Sequence, residues 1–205
     1  MKKYWQILLT CLFMLVASVT PVMGANPVAV PSYNYVVGKL GAYIPTSNDL
    51  KDFNTGFNGE FAFGHYFNPY LGLELGIGYF QTEGNSNVVY PGATYRGNEN
   101  IEVTPLTASL KFILPVNIWV EPYGIAGIGA YFIYDHIDVS NHHHDYLSDN
   151  TTSFGAHLGG GINFNIAPNF FIGAECKYVW LNPSLYGGDV NLGGVRLTGN
   201  FGVRF

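Results

Sequence analysis

Charge is scarce in this chain. Asp, Glu, Lys and Arg together make up 11% of its 205 residues, where a soluble domain carries roughly 25%. Such thin polar cover speaks against an ordinary water-facing globule. Basic residues are the scarcer kind, 9 against 14 acidic ones, and the formal charge of −5 argues against a nucleic-acid partner, which needs a basic footprint. Cysteine is nearly absent: Cys11 lies in the N-terminal apolar stretch and Cys176 stands alone in the rest, so the mature chain can form no intramolecular disulfide. Beyond the N-terminal stretch there is also no run of about eighteen apolar residues, which excludes a membrane-spanning helix. Glycine and aromatic side chains are plentiful instead, with 26 glycines and 16% aromatics.

The first residues read as a secretory leader. Met1-Lys2-Lys3 supplies the positive start, Ile7 to Val19 the apolar middle, and Val22-Met23-Gly24-Ala25 a small-residue cleavage site. The expected organisation is a signal peptide over 1–24, cut near Gly24/Ala25, and one domain over 25–205. Loss of Lys2 and Lys3 takes the charge from −5 to near −7. Cys11 sits inside the apolar middle behind Thr10, a poor lipidation context.

The last thirteen residues, Gly193 to Phe205, alternate cleanly. Val195, Leu197, Phe201, Val203 and Phe205 share one parity, and Arg196, Thr198, Asn200 and Arg204 share the other. In a strand this gives one oily and one polar face. Seven earlier stretches follow the same rule. Tyr33 to Ile44 sets Val36, Leu40, Ala42 and Ile44 against Lys39. Phe57 to Phe67 sets four phenylalanines against Asn58 and Glu60. Tyr70 to Gln81 sets Leu71, Leu73, Leu75, Ile77 and Tyr79 against Glu74 and three glycines. Val103 to Leu114 sets Leu106, Ala108, Leu110, Phe112 and Leu114 against Thr107, Ser109 and Lys111. In Ile118 to Tyr134, Glu121 fixes the inward parity and sends Val120, Ala126, Ile128, Ala130 and Phe132 outward. Thr152 to Phe164 sets Phe154, Leu158 and Ile162 against His157, and Phe170 to Trp180 sets Ile172, Cys176 and Trp180 against Glu175 and Lys177.

Eight strands of this length suit a tilted bilayer crossing. Connections near 68, 116 and 167 are short, while those near 45–56, 83–100, 135–150 and 182–192 are long and polar. The expected fold is all-β: an eight-stranded antiparallel up-and-down transmembrane β-barrel with short periplasmic turns, long external loops and both ends on the periplasmic side. Pro105 falls on the inward parity of the fourth strand, where a bulge would relieve it. A soluble lipocalin-type barrel is the competing reading. It would need the charged face outside, and here that face is mostly Gly, Ser, Thr and Asn.

Several stretches resemble small bacterial outer-membrane barrels of the OmpA-like and OmpW-like kind: Tyr35-Val36-Val37-Gly38-Lys39-Leu40-Gly41, Val103-Thr104-Pro105-Leu106, Glu121-Pro122-Tyr123, His157-Leu158-Gly159-Gly160-Gly161, Glu175-Cys176-Lys177-Tyr178 and Gly202-Val203-Arg204-Phe205. The resemblance spans nearly all of the mature chain and specifies architecture more than activity. It implies residence in the outer membrane of a Gram-negative cell. It also implies that Phe201, Val203 and Phe205 are read by the barrel-assembly machinery as a closing signal. Lipid and lipopolysaccharide are the implied neighbours, with a monomer as the expected state and no cofactor.

Three groups of residues could carry chemistry. By parity, Lys39, Glu60, Glu74, Lys111, Glu121, Glu175, Lys177, Arg196 and Arg204 face inward together with His157. In an eight-strand lumen filled by side chains these charges should pair. Counting from the short turns puts Glu74, Lys111 and Glu121 near one height, and Glu175 level with Arg196. The reading is a static ionic plug, with a pair-switching ion gate as the functional alternative. The second group, His142 and His144 with Asp138 (or His136) in the third long loop, has ligand types for zinc, copper or nickel, at most for weak exchangeable contact. A solvated acidic loop with some histidines is the plainer reading and is preferred. The third is the external loops, whose ten acidic residues against Lys51 and Arg96 would attract divalent cations and basic partners.

Aromatics near strand ends fit interfacial girdles, although Tyr33, Tyr70 and Trp119 could fill the lumen by parity. A structural or surface-interaction role through acidic external loops is the first expectation. The second is an OmpW-like channel for small hydrophobic molecules or ions. An enzyme is not expected: His157 has Ser153 nearest on its own strand face, with no motif joining them.

Overall fold

A computed structural model describes residues 32–90, 93–114, 119–139, 146–185 and 188–205, with side-chain positions described outside 85–98 and 137–149. The leader over 1–24 lies outside these residues. Among the described residues ten strands follow one another: β1 (Tyr33–Pro45), β2 (Gly56–Tyr66), β3 (Leu71–Tyr90), β4 (Ala93–Ile113), β5 (Val120–Val139), β6 (Tyr146–Ala167), β7 (Phe170–Leu181), β8 (Ser184–Leu185), β9 (Gly188–Asp189) and β10 (Gly194–Arg204). Eight of them close into an antiparallel up-and-down barrel, and β8 and β9 form a separate two-stranded hairpin. Closure is made by β10 against β1, from Tyr35 opposite Arg204 to Pro45 opposite Gly194. Among the described residues no helix is long and apolar enough to cross a membrane; a barrel crosses with its strands.

The period-two pattern orients every strand as expected. Leu40 is 67% exposed, and Leu75, Ile77, Leu106, Leu110, Ile128, Leu158, Leu197 and Phe201 are exposed with it. Lys39, Glu74, Lys111, Glu175, Lys177 and Arg196, on the other parity, are buried. A continuous oily exterior far exceeds the few hundred Å² of apolar patch a soluble monomer tolerates, and it suits hydrocarbon.

Four strands run further than the sequence pattern suggested. The stretches 83–100 and 135–150, read there as loops, are for the most part the outer halves of hairpins. β3 pairs β4 as far as Tyr90 opposite Ala93, and β5 pairs β6 as far as Asp138 opposite Tyr146. Because β4 and β5 also pair up to Gly97 opposite Val139, the four strands rise past the barrel as one sheet. The sequence explains the extension: Val88, Val89, Tyr90, Thr94 and Tyr95 are β-formers set among the polar residues that suggested a loop.

Pro105 causes no bulge. The β3–β4 register is the same on both sides of it, but the ladder skips the two pairs between Ile77–Leu106 and Phe80–Val103. The pyrrolidine has no N–H to give, and Gly78 opposite has no side chain, so the ring fits against bare backbone. On its other side Pro105 stays in register with Tyr131 of β5. The irregularity that does occur in β6–β7 lies at Asn165/Ala167, beside a short turn.

The lumen is not uniformly polar, as the sequence pattern implied. An apolar cluster fills each end. At the long-hairpin end Tyr43, Phe80, Ile101, Tyr131, Ile133 and Leu181 pack with Leu50, Leu185 and Leu192 from the connecting segments. At the short-turn end Tyr35, Val37, Tyr66, Ile113, Tyr123, Ile125 and Phe171 pack together. Inward rings lie over facing glycines: a Cβ on Gly64 would fall on the Tyr35 ring, and one on Gly202 on the Phe171 ring. These two positions admit nothing larger.

Candidate functional site

Between the two apolar clusters lies a belt of seven charged residues. Lys39 of β1 is its hub: Nζ stands 2.6 Å from Glu74 of β3, 3.0 Å from Glu60 of β2 and 3.0 Å from Glu175 of β7. Its hydrogen bonds go to Glu74 and to both oxygens of Glu175, and Glu60 adds a third carboxylate at ion-pair distance, so the ammonium is well satisfied. Lys177 bridges Glu60 at 2.9 Å and Glu175 at 3.1 Å. Arg196 reaches Glu60 at 3.0 Å, and Lys111 lies 3.6 Å from Glu74. All seven side chains are at most 3% exposed.

Phenols complete the donor shell around the carboxylates. Tyr35 donates to Glu74 at 2.7 Å, and Tyr123 donates to Glu175 at 2.9 Å while accepting from Asn200 at 3.2 Å. The Lys111 ammonium sits 3.9 Å from the centre of the Tyr123 ring and 5.1 Å from that of Tyr35. Aromatic faces therefore supply much of what carboxylates do not. Buried charge is tolerated only with this degree of satisfaction.

Of the nine charged residues expected inside, all nine point inward, and seven form the belt. Glu121 and Arg204 stand apart at the short-turn mouth, where Arg204 pairs with Glu121 at 2.5 Å, Asn165 donates to Glu121 at 2.9 Å, and the guanidinium lies over the Tyr33 and Phe171 rings. A shallow pocket of about 300 Å³ opens there, lined by Tyr33, Glu121, Pro168, Asn169, Arg204 and Phe205. Two expected pairings differ. Glu121 answers Arg204, where the heights suggested Glu74 and Lys111. Glu175 answers Lys39 and Lys177, whereas Arg196 turns to Glu60 and to Asn58, donating from Nε to Oδ1 at 2.8 Å. Strand tilt staggers neighbours, so equal distance from a turn is not equal height.

His157 is buried and meets a serine, though not Ser153. Ser109 Oγ lies 2.8 Å from its Nε2, while Ser153 faces the Asn182 carbonyl. Ser109, Gly127 and His157 occupy one ladder line across β4, β5 and β6. The central glycine has no Cβ, and one placed there would strike the imidazole, so the two outer side chains meet over it. That glycine between a Ser and a His was the available sequence signal. The pair is sealed in the wall of the lumen.

Tyr33 closes the short-turn mouth, its ring tilted against that of Tyr66 with centroids 4.8 Å apart. Tyr70 and Trp119 instead are exposed and belong to the outer girdle. Phe201, Val203 and Phe205 face outward on the seam, and Phe205 exchanges two backbone hydrogen bonds of 2.9 Å with Asn34 at the start of β1. His142 and His144 lie outside the described residues, and Asp138 is described in backbone only. No group of metal-ligating side chains occurs among the described residues.

Residues 9–205 match the family model described as the outer membrane protein beta-barrel domain. No curated protein matches the chain. Among solved structures, a major outer membrane protein from Thermus thermophilus superimposes with a TM-score of 0.64 at 14% identity, over 86% of this chain and 100% of that one. OprG from Pseudomonas aeruginosa follows at 0.56 and 14%, over 86% and 97%. Neisserial surface protein A gives 0.55 and 15%, over 86% and 99%. At such identities the likeness is one of fold.

Proposed function

The chain belongs to the outer-membrane β-barrel family, and on that premise we propose that it works as a non-conducting, non-enzymatic barrel whose contacts are made by its external sheet and loops. The observation that carries this reading is the filling of the lumen in three successive layers, apolar, ionic and aromatic. A path for solute would have to cross all three. The charge distribution agrees with it. Glu60, Glu74, Glu121 and Glu175 lie inside the barrel and Asp135 is buried above them; among the described residues Asp49, Asp52, Glu83, Glu99, Glu102, Asp138, Asp149 and Asp189 stand in the long-hairpin half, where Lys51 and Arg96 are their basic company. Such a surface favours divalent cations, which would link it to lipopolysaccharide phosphates, and basic segments of other proteins. The sheet formed by β3 to β6 offers contact area above the membrane, and among the described residues 146–154 ladder with β5 alone.

On the same reading residues 1–24 direct export, and Phe201, Val203 and Phe205 present the closing strand to the assembly machinery. Planar-bilayer recording of the purified barrel tests the proposal. Absence of steady channel events is expected, and steady conductance overturns it. A second reading, lateral passage of small apolar molecules through the wall, draws on the two skipped ladder pairs at Pro105. Replacing Pro105 with Thr would restore the ladder; saturable uptake of a detergent-like probe that this substitution abolishes would favour that reading.

A further inference from the structure

The belt does not balance. Four bases, Lys39, Lys111, Lys177 and Arg196, face three carboxylates, Glu60, Glu74 and Glu175. Counting His157 as neutral, one positive charge is left over within the belt itself; the next buried carboxylate, Asp135, stands further along β5, beyond Tyr131 and Ile133. The shortfall shows at two places: Lys111, whose single carboxylate lies 3.6 Å away and whose ammonium rests on the Tyr123 and Tyr35 rings, and Glu60, which alone answers three cations, Lys39, Lys177 and Arg196. Arg196 is the least well served of the three, with Glu60 as its single carboxylate among the described residues.

Donors without acceptors gather on that side of Arg196. Its Nη2 is 3.0 Å from Glu60 Oε2, yet lacks the alignment of a hydrogen bond and has no other hydrogen-bond partner among the described residues. Arg196 Nε holds Asn58 by Oδ1, which fixes the amide and leaves Asn58 Nδ2 a donor with no acceptor among them. The same Nη2 lies against Gly78 beside the Pro105 ring, and Tyr131, the ladder partner of Pro105, carries a buried hydroxyl that is the third such donor. Asn58, Tyr131 and Arg196 are each no more than 1% exposed. Buried donors of this kind are costly unless an acceptor is supplied, and a surplus charge nearby favours one that is negative.

We propose that the lumen binds one small monovalent anion, of the size of chloride, between Arg196, Asn58 and Tyr131, and that this ion supplies the fourth negative charge of the belt. The inference concerns the interior and is independent of what the external loops contact.

The test uses the full barrel in detergent, unfolded by heat in sodium chloride and in sodium gluconate at equal ionic strength, with folded fraction read from gel mobility. Chloride should raise the midpoint by about 6 °C, the shift expected of a ligand tens of times above its dissociation constant in a domain of this size. Asn58→Asp places a carboxylate where the amide stands and makes the belt four against four; it should fold and lose the chloride dependence. Tyr131→Phe removes one donor and should reduce that dependence while leaving the fold intact. Bromide-soaked crystals should show an anomalous peak beside Arg196. An identical midpoint in both salts for the parent protein overturns the proposal. So does an Asn58→Asp barrel that keeps full chloride dependence or does not fold, or a Tyr131→Phe barrel whose dependence matches the parent's.

Discussion

Replacing Glu60 with Gln keeps the shape of the side chain and removes the one carboxylate on which three cations converge, at 3.0, 2.9 and 3.0 Å. The consequences for the three are unequal. Lys39 retains Glu74 and Glu175, and Lys177 retains Glu175. Arg196 is left with the Asn58 amide and no carboxylate among the described residues. The cost is therefore close to that of one broken buried pair, about 3–5 kcal/mol. Glu121→Gln is the internal comparison. Its partner Arg204 lies at the partly open mouth and keeps its two aromatic neighbours, so the loss there should be about 1 kcal/mol or less. Urea titration of the barrel in lipid vesicles, read by gel mobility without boiling, gives both values. A third chain, Glu60→Gln with Arg196→Met, removes the orphan together with its partner and should be more stable than Glu60→Gln alone. Equal losses for Glu60→Gln and Glu121→Gln would refute the reasoning. So would a double variant that loses the full sum of its parts, since contacting groups must couple.

Other outcomes follow from the two faces of the wall. Leu40→Arg puts a charge on the lipid side near mid-strand and should cost about 2–4 kcal/mol in vesicles, measured by the same titration. Gly64→Ala forces a methyl group onto the Tyr35 ring and should lose about 1–3 kcal/mol. Gly38→Ala, with open space around its Cβ position, should stay within about 1 kcal/mol of the parent. Tyr43→Phe removes the 2.7 Å bond to the Leu192 carbonyl that pins the 182–193 segment over the barrel. Limited proteolysis should then cut that segment sooner, with a stability loss of about 1–3 kcal/mol for the buried carbonyl left unpaired.

Most of the wall was legible in the sequence because a strand has only two faces. Lys39, Glu60, Glu74, Lys111, Glu175, Lys177 and Arg196 share the inward parity, and nothing beyond alternation is needed to place them. Which of them meet was not legible. Lys39 finds partners on β2, β3 and β7, and the choice depends on tilt and register, which a count of residues from each turn does not carry. Polar composition concealed the outer hairpins, since Asn, Gly and Glu between β-formers read as loop until a neighbouring strand pairs with them. The apolar ends of the lumen were missed for a related reason. Tyr43, Phe80, Ile101 and Tyr131 stand on the inward parity too, but charges on the same face drew the whole interior as polar. Ser109 escaped notice because its partner lies two strands away across Gly127.

The dependence of the belt on β1 has a kinetic meaning. Lys39 belongs to the first strand laid down, and one of the acids that neutralise it, Glu175, comes from a strand that follows more than a hundred residues later. A half-wound ribbon would have to hold bare ammonium and carboxylate groups against oil. Such a state is penalised heavily, so sealing of the wall and entry into the bilayer should form one concerted event, slowed by the long span that must be gathered first.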